Sequence, residues 1–315
     1  MSPIRMLFDV ECPRDPFSAL FYSLFMNDIC QASHKLQYIL FADDTSVFLS
    51  DDNIDNLILD FNNELTRINL WLLSNKLVLN IKKTHYMIFS NKLIDYERVV
   101  VCLDDNIINH STSLKFLGVT SDSKLSWNEH IDVICTKISK NIGILNKLKF
   151  FPQNILLMIY NAIIYPYFQY CNLAWGSSTN YSMFRLFRLQ KRAVRIICRA
   201  HFLAHTKPLF SNLKTLNVFD ISDYNLAICM YLCYNNFIPA SLSGKFYLNT
   251  ALYSYNTRGS SNFHLPQIRT TVSKNSIFFK GPKVWNNLPI HIKSSPSLNA
   301  FKRRYKSILI DRYSI

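Results

Sequence analysis

Two groups of residues in this chain have the types and spacing to do chemistry. Asp43 and Asp44 stand side by side between two apolar runs, residues 36–41 and 45–49. The β-branched, aromatic and aliphatic character of both runs predicts two strands, with Ala42-Asp43-Asp44 as the tight turn between them. Carboxylates at such a tip are hard oxygen donors suited to Mg²⁺, and a pair of ions held there can stabilise the attacking and leaving oxygens of phosphoryl transfer. An Asp pair is also an ordinary turn former, and Asp51-Asp52 and Asp104-Asp105 are read in that way. The second group is cationic. Arg185, Arg188, Arg192, Arg195 and Arg199 recur at intervals of 3 and 4, with Lys191 beside them. That spacing predicts one helical face of guanidinium groups, and no acidic residue lies between Asp132 and Asp220 to neutralise it. Such a face contacts nucleic-acid phosphates with strong salt dependence, a solvated basic surface being the alternative.

The charges divide along the chain. Residues 1–135 carry 18 acidic and 11 basic side chains, whereas residues 136–315 carry 3 and 24. Two regions of opposite sign predict two roles, and the basic one predicts a polyanionic partner. Only 6 of the 315 residues are glycine, and they are widely separated, which excludes a glycine-rich phosphate loop or dinucleotide fold. The 23 Phe and 17 Tyr exclude a solvated coil. The 8 cysteines contain no C-x-x-C pair, so a reducing, intracellular setting (cytoplasm or nucleus) is expected. Cys198, His201 and His205 lack a fourth zinc ligand at a fixed spacing and are read as packed residues. Residues 150–184 are free of charge, but Asn154, Asn161, Pro166, Gln169 and Asn172 interrupt them. A buried helical hairpin is predicted there rather than a membrane span.

The elements that must position these groups can be read from periodicity. Residues 19–28 form an apolar segment suited to a helix. Ile54, Leu57, Ile58, Phe61, Leu65, Ile68 and Leu72 recur at helical intervals. Strand-like runs follow at 77–79, 85–89, 99–103 and 114–119. From residue 126 the pattern turns helical. Ser126 and Glu129 have the spacing of a capping box, with Ile131, Ile134, Ile138, Ile142 and Leu145 on one face behind it. Further helices are predicted near 154–165 and 183–199. The fold class expected is α+β at the front, followed by a mainly helical region. Trp127, Trp175 and Trp285 are expected to pack in cores.

Phe41-Ala42-Asp43-Asp44-Thr45 resembles the catalytic box of reverse transcriptases, and the surrounding order is similar to the family encoded by non-LTR, LINE-type, jockey-like retrotransposons. Leu24-Phe25-Met26-Asn27-Asp28-Ile29 resembles the helix before that box. Leu79-Asn80-Ile81-Lys82-Lys83-Thr84 resembles a later palm motif, and Phe116-Leu117-Gly118-Val119 the primer-grip segment. Gln190-Lys191-Arg192-Ala193, Ala204-His205-Thr206-Lys207-Pro208-Leu209, Tyr255-Asn256-Thr257-Arg258 and Gly281-Pro282-Lys283-Val284-Trp285 are similar to the family's downstream segments. The match runs over nearly the whole chain.

The resemblance implies a partial polymerase palm over residues 1–120, a helical thumb-like region over 121–205 and a basic C-terminal region over 206–315. It implies Asp43 and Asp44 as ligands of Mg²⁺ or Mn²⁺, Lys83 near the phosphates of the incoming nucleotide, and Phe116, Leu117, Gly118 and Val119 as primer support. Gly118 has a second reading, as a bend or bulge within a strand. The implied partners are an RNA template, a DNA primer and deoxynucleoside triphosphates, with no membrane. The family's polymerases use a further aspartate and fingers upstream of the point where this sequence starts. Glu11-Cys12-Pro13-Arg14-Asp15-Pro16 stands where the family has a Pro-Gln-Gly box, and neither Asp9 nor Asp15 matches the further aspartate. The expectation is a C-terminal portion of an RNA-directed DNA polymerase, inactive alone, or a nucleic-acid-binding remnant without catalysis.

Overall fold

In the computed structural model, residues 4–10, 26–41, 44–77, 79–90, 92–104, 106–239, 242, 244–252, 259 and 262–313 are described, residues 4–10 by backbone only. The chain divides into two compact units, Met1–Ser126 and Trp127–Ile315.

The first unit is built on a five-stranded sheet. Its strands are β1 (Ile4–Val10), β2 (Gln37–Phe41), β3 (Asp44–Asp51), β4 (His85–Phe89) and, after two strands of a separate pair, β7 (Asn109–His110). Their order is β2-β3-β1-β4-β7, antiparallel except for the β4–β7 pair. Helix α1 (Ile54–Ser74) lies against the sheet. Asn53 caps it, accepting the Asp55 N–H at 2.8 Å. Leu57, Phe61, Leu65, Ile68 and Leu72 are buried along one face of α1 as their 3-and-4 spacing predicts, in a core with Val47, Tyr86 and Ile88 of the sheet. Because side chains alternate along a strand, Asp44 and Ser46 of β3 lie on the face opposite the one Val47 presents to α1. Two residues of α1 do other work. Asn69 donates to Asp104 at 2.5 Å, holding the turn between β5 (Cys102–Leu103) and β6 (Asn106–Ile107). Buried Glu64 pairs with Arg67 at 3.2 Å.

Of the predicted strand at 77–79, residue 78 lies outside the described residues, and neither Leu77 nor Leu79 is in a strand. Leu77 donates to Leu72 O at 2.9 Å as the chain leaves α1, and Leu79 is buried in the core without a strand partner among the described residues. The run at 114–119 is two strands rather than one. In β8 (Ser113–Phe116) and β9 (Val119–Asp122), Phe116 pairs with Val119, leaving Leu117 and Gly118 as a two-residue turn. Both have positive φ, 46° and 82°, the backbone of a type I′ hairpin, so Gly118 is a turn residue and not a strand bend. Most of the helix expected at 19–28 lies outside the described residues; Met26–Gln31 is a 3₁₀ helix.

The second unit is helical: α2 (Asn128–Lys147), α3 (Gln153–Ile163), α4 (Asn180–Ile197), α5 (Val218–Tyr234), α6 (Ile277–Asn286) and α7 (Leu298–Asp311), with shorter helical turns between. One apolar core runs through it from Ile131 to Tyr313. The segments expected as separate regions, 121–205 and 206–315, therefore share that core from residue 127 onward. Trp175 and Trp285 are fully buried in it. The capping box at Ser126 is not made: the backbone N–H of Ser126 donates to Asp122 Oδ1 at 2.6 Å and its hydroxyl to Asp122 Oδ2. Helix α2 starts one residue later, with Trp127 at its N-cap in a left-handed conformation and no side-chain cap. The Asp122 carboxylate accepts the Ser126 N–H that Glu129 would have accepted in a capping box. Residues 150–184 fold as α3, two short helices and the start of α4. No described helix is long and apolar enough to cross a membrane.

Candidate functional sites

The β2–β3 ladder pairs Phe41 with Asp44, so the connection between the strands is the two residues Ala42 and Asp43. Asp43 lies outside the described residues. Asp44 is the first residue of β3 and half-buried. The register then fixes what stands beside it. Val10 of β1 is opposite Thr45, and Asp9 is opposite both Ser46 of β3 and His85 of β4. The starts of β3 and β4 are thus at one end of the sheet, with β1 between them. Lys83 sits two residues before β4, exposed, at that same end, its carbonyl hydrogen-bonded to His85 Nδ1 at 2.8 Å. Two strand spacings, about 10 Å, separate the backbones of β3 and β4. The fold therefore brings Asp44 and Lys83, 39 positions apart in sequence, to a common edge. Next to Lys83, buried Thr84 closes its turn by donating to Asn80 O at 2.9 Å.

The expected primer-support residues Phe116, Leu117, Gly118 and Val119 form the tip of the β8–β9 hairpin. That hairpin follows β7 and is tied to the main sheet where the Ser111 N–H donates to Tyr86 O at 2.9 Å.

Among the described residues, no three or more His, Cys, Asp or Glu side chains converge as a metal-binding group. Asp44 supplies a hard oxygen donor, the type a divalent cation of the Mg²⁺ class takes. The donor chemistry fits such an ion as far as the described residues go.

The arginine row maps onto α4, whose opposite face buries Met183, Leu186, Ala193, Val194 and Ile197. Buried Gln190 fixes that face. Its Nε2 donates to Tyr160 Oη at 3.0 Å and to Leu216 O at 2.9 Å, and its Oε1 accepts the Val218 N–H at 2.8 Å, capping the start of α5. The cations themselves are not equivalent. Arg185 is paired with Asp132 of α2 at 2.5 Å, an acid outside the 132–220 gap but beside the helix in space. The Arg185 guanidinium is held above its usual range by that hydrogen bond. Lys191 lies over the Phe187 ring, 4.8 Å from its centroid. Arg195 Nε donates to Ala204 O at 3.0 Å. Arg199 is not on the helix: it follows the C-cap Cys198, at φ 51°, and donates to the carbonyls of Phe150 (3.4 Å) and Phe151 (3.1 Å). The Ala200 N–H closes onto Arg195 O at 3.0 Å, a Schellman-type end with arginine where glycine is usual. Arg188 and Arg192 are exposed, with no side-chain partner among the described residues. Of the five arginines, two guanidiniums are open and three are engaged within the fold. Spacing reveals which residues share a helix face; it does not reveal which backbone carbonyls the folded chain brings to them.

Residues 15–121 match the family model described as reverse transcriptase (RNA-dependent DNA polymerase). Among characterised proteins, the chain is 25% identical over 213 residues to the probable RNA-directed DNA polymerase from transposon X-element of Drosophila melanogaster, covering 64% of this chain and 23% of that protein. It is 25% identical over 179 residues to the RNA-directed DNA polymerase from mobile element jockey of the same species, covering 55% of this chain and 19% of that protein. The chain thus spans less than a quarter of the length of the curated relatives it matches. Residues 15–121 are thus similar to reverse transcriptases, and the chain is similar to RNA-directed DNA polymerases of mobile elements.

Proposed function

We propose that this chain serves template-directed DNA synthesis by a mobile-element polymerase, inside the cell, with residues 1–120 as part of its palm and the helical residues after them, thumb-like over 121–205, as a grip on nucleic acid. The observation that carries the reading is the register that sets Asp44, at the close of a two-residue hairpin, at the same sheet end as Lys83, within the segment that matches the family. Asp43 and Asp44 would hold Mg²⁺. That ion, when bound, neutralises charge developing on the phosphoryl oxygens during transfer. Lys83, exposed at that edge, is placed to attract the phosphates of a deoxynucleoside triphosphate. The hairpin of Phe116, Leu117, Gly118 and Val119 supports the primer end, its backbone stiffened by the type I′ turn.

Primer extension on an RNA template with Mg²⁺ tests the assignment. The chain alone is expected to extend nothing; in a longer polymerase that contains it, extension lost in the Asp43→Asn, Asp44→Asn variant is the expected result, and extension indifferent to both substitutions overturns the assignment. A second reading, binding without catalysis, is favoured by one feature, the excess of 24 basic over 3 acidic residues in 136–315. A longer polymerase containing this chain that retains template–primer and extends it regardless of Asp43 and Asp44, while the isolated chain binds, selects it.

A further inference from the structure

At the C-terminal end of α4, two of the engaged arginines hold down two loops, and each loop carries an aromatic ring into solvent. Arg199 fixes the carbonyls of Phe150 and Phe151, in the turn after α2. Arg195 fixes the carbonyl of Ala204, in the loop after α4 that carries Phe202. Phe150 and Phe202 are 69% and 72% exposed. Each is backed by a neighbouring ring: Phe151 lies 4.5 Å from Phe150, and His201 4.5 Å from Phe202, centroid to centroid. Between them runs an open cavity of about 730 Å³. Lys149 and Arg192 add cations to its wall, both exposed, and no acidic residue lines it.

A groove with cations along its wall and exposed rings at its rim matches the chemistry of an unpaired nucleotide strand. Phosphates meet the cations, and base faces meet the rings. A duplex offers the same phosphates but hides its base faces in the stack. The volume is in the ~300–1,000 Å³ range of ligand sites, room for one or two nucleotides. We infer that this groove binds single-stranded nucleic acid, with Arg192 and Lys149 on phosphates and Phe150 and Phe202 stacked on unpaired bases. The assignment rests on the nucleic-acid reading of the helical unit and adds to it the strand state recognised and the residues that recognise it.

The test is fluorescence anisotropy of the full chain with a short labelled single strand, the same strand as a duplex, and the same strand made abasic. Wild type should bind the intact single strand tightest. The Phe150→Ala, Phe202→Ala variant should lose about tenfold or more for that strand and nothing for the duplex or the abasic strand. Arg192→Glu should weaken all three. Both phenylalanines are exposed, so the variant keeps its core, and an unchanged thermal melt verifies this. A folded variant that binds the intact strand as well as wild type does, while Arg192→Glu still weakens binding, overturns the groove assignment and leaves the basic-unit reading standing. Absence of binding to any nucleic acid at low salt, or capture of an acidic peptide in preference to all three, overturns both.

Discussion

The sheet unit and the helical unit handle charge in opposite ways. In the first, three cations find carboxylates, Lys35 pairing with Asp60 at 2.9 Å, Arg67 with Glu64 and Arg98 with Asp95 at 3.2 Å, while Lys92 donates to Asp52 O. In the second, acids are scarce. Arg185 takes Asp132, Arg195 and Arg199 turn to backbone carbonyls, and Arg188 and Arg192 face solvent. Surface pairs of the first kind contribute little to stability, about 0–1 kcal/mol each, but they cancel the local field. The second arrangement leaves a field uncancelled while still using part of the cation set to build structure. A basic residue count alone therefore overstates how many charges a polyanion can meet; the number that matters is what remains after the carbonyls are served.

This contrast can be broken at several points. The largest effect belongs to the sheet unit: in a longer polymerase containing this chain, Asp43→Asn with Asp44→Asn should lower primer extension by about a thousandfold while leaving template affinity nearly unchanged. In the helical unit, Gln190→Leu keeps the volume but orphans Leu216 O and the Val218 N–H. Chemical denaturation should show a loss of about 3 kcal/mol. Arg188→Glu with Arg192→Glu should weaken nucleic-acid binding by tenfold or more and make the dependence of log K on log salt shallower by roughly two. The matching reversal in the sheet unit, Lys35→Glu, should change affinity less than about twofold, because that lysine is already paired. Equal effects from the two reversals would remove the distinction between units. Gly118→Ala, at φ 82°, should destabilise the β8–β9 hairpin by about 1 kcal/mol, read as faster local amide exchange.

The smallest effect is on pH. Burial pushes the carboxyls of Asp220 and Asp223 above their ordinary range, and for Asp223 the neighbouring Asp220 adds to it. A raised carboxyl favours the protonated form in the fold. The stabilisation this pair contributes is thus present in acid, below the ordinary carboxylate range, and is lost as pH rises through their raised values. Denaturation midpoints measured across mildly acidic pH should show that decline, and Asp223→Asn should flatten it.

Much of this architecture was readable before any coordinate. The 3-and-4 repeat of α1 is a local statement about one face, and Leu57, Phe61, Leu65 and Ile68 are buried accordingly. The β2–β3 hairpin was readable for a similar reason: two β-prone runs around a turn-tolerant Asp pair leave few alternatives. Where reading failed, a competitor from outside the window had intervened. Asp122 took the serine of the expected capping box, and Leu79 was drawn into the core instead of a strand. At Leu117 a non-glycine residue adopted a positive φ that turn statistics disfavour. Asp9, unremarkable in sequence, stands opposite Ser46 only because β1 inserts between β3 and β4.

Local composition by itself determined the helix faces, the hairpin at the Asp pair, the split of charge and the likeness to reverse transcriptases, because each depends on residues near in sequence and on types that have few substitutes. Only the tertiary structure decided that Asp44 and Lys83 share a sheet end, which arginines remain open, and that two rings flank one groove. Those are matters of long-range register and of which carbonyls and carboxylates come within about 3 Å of a side chain, and no spacing along the chain encodes that distance.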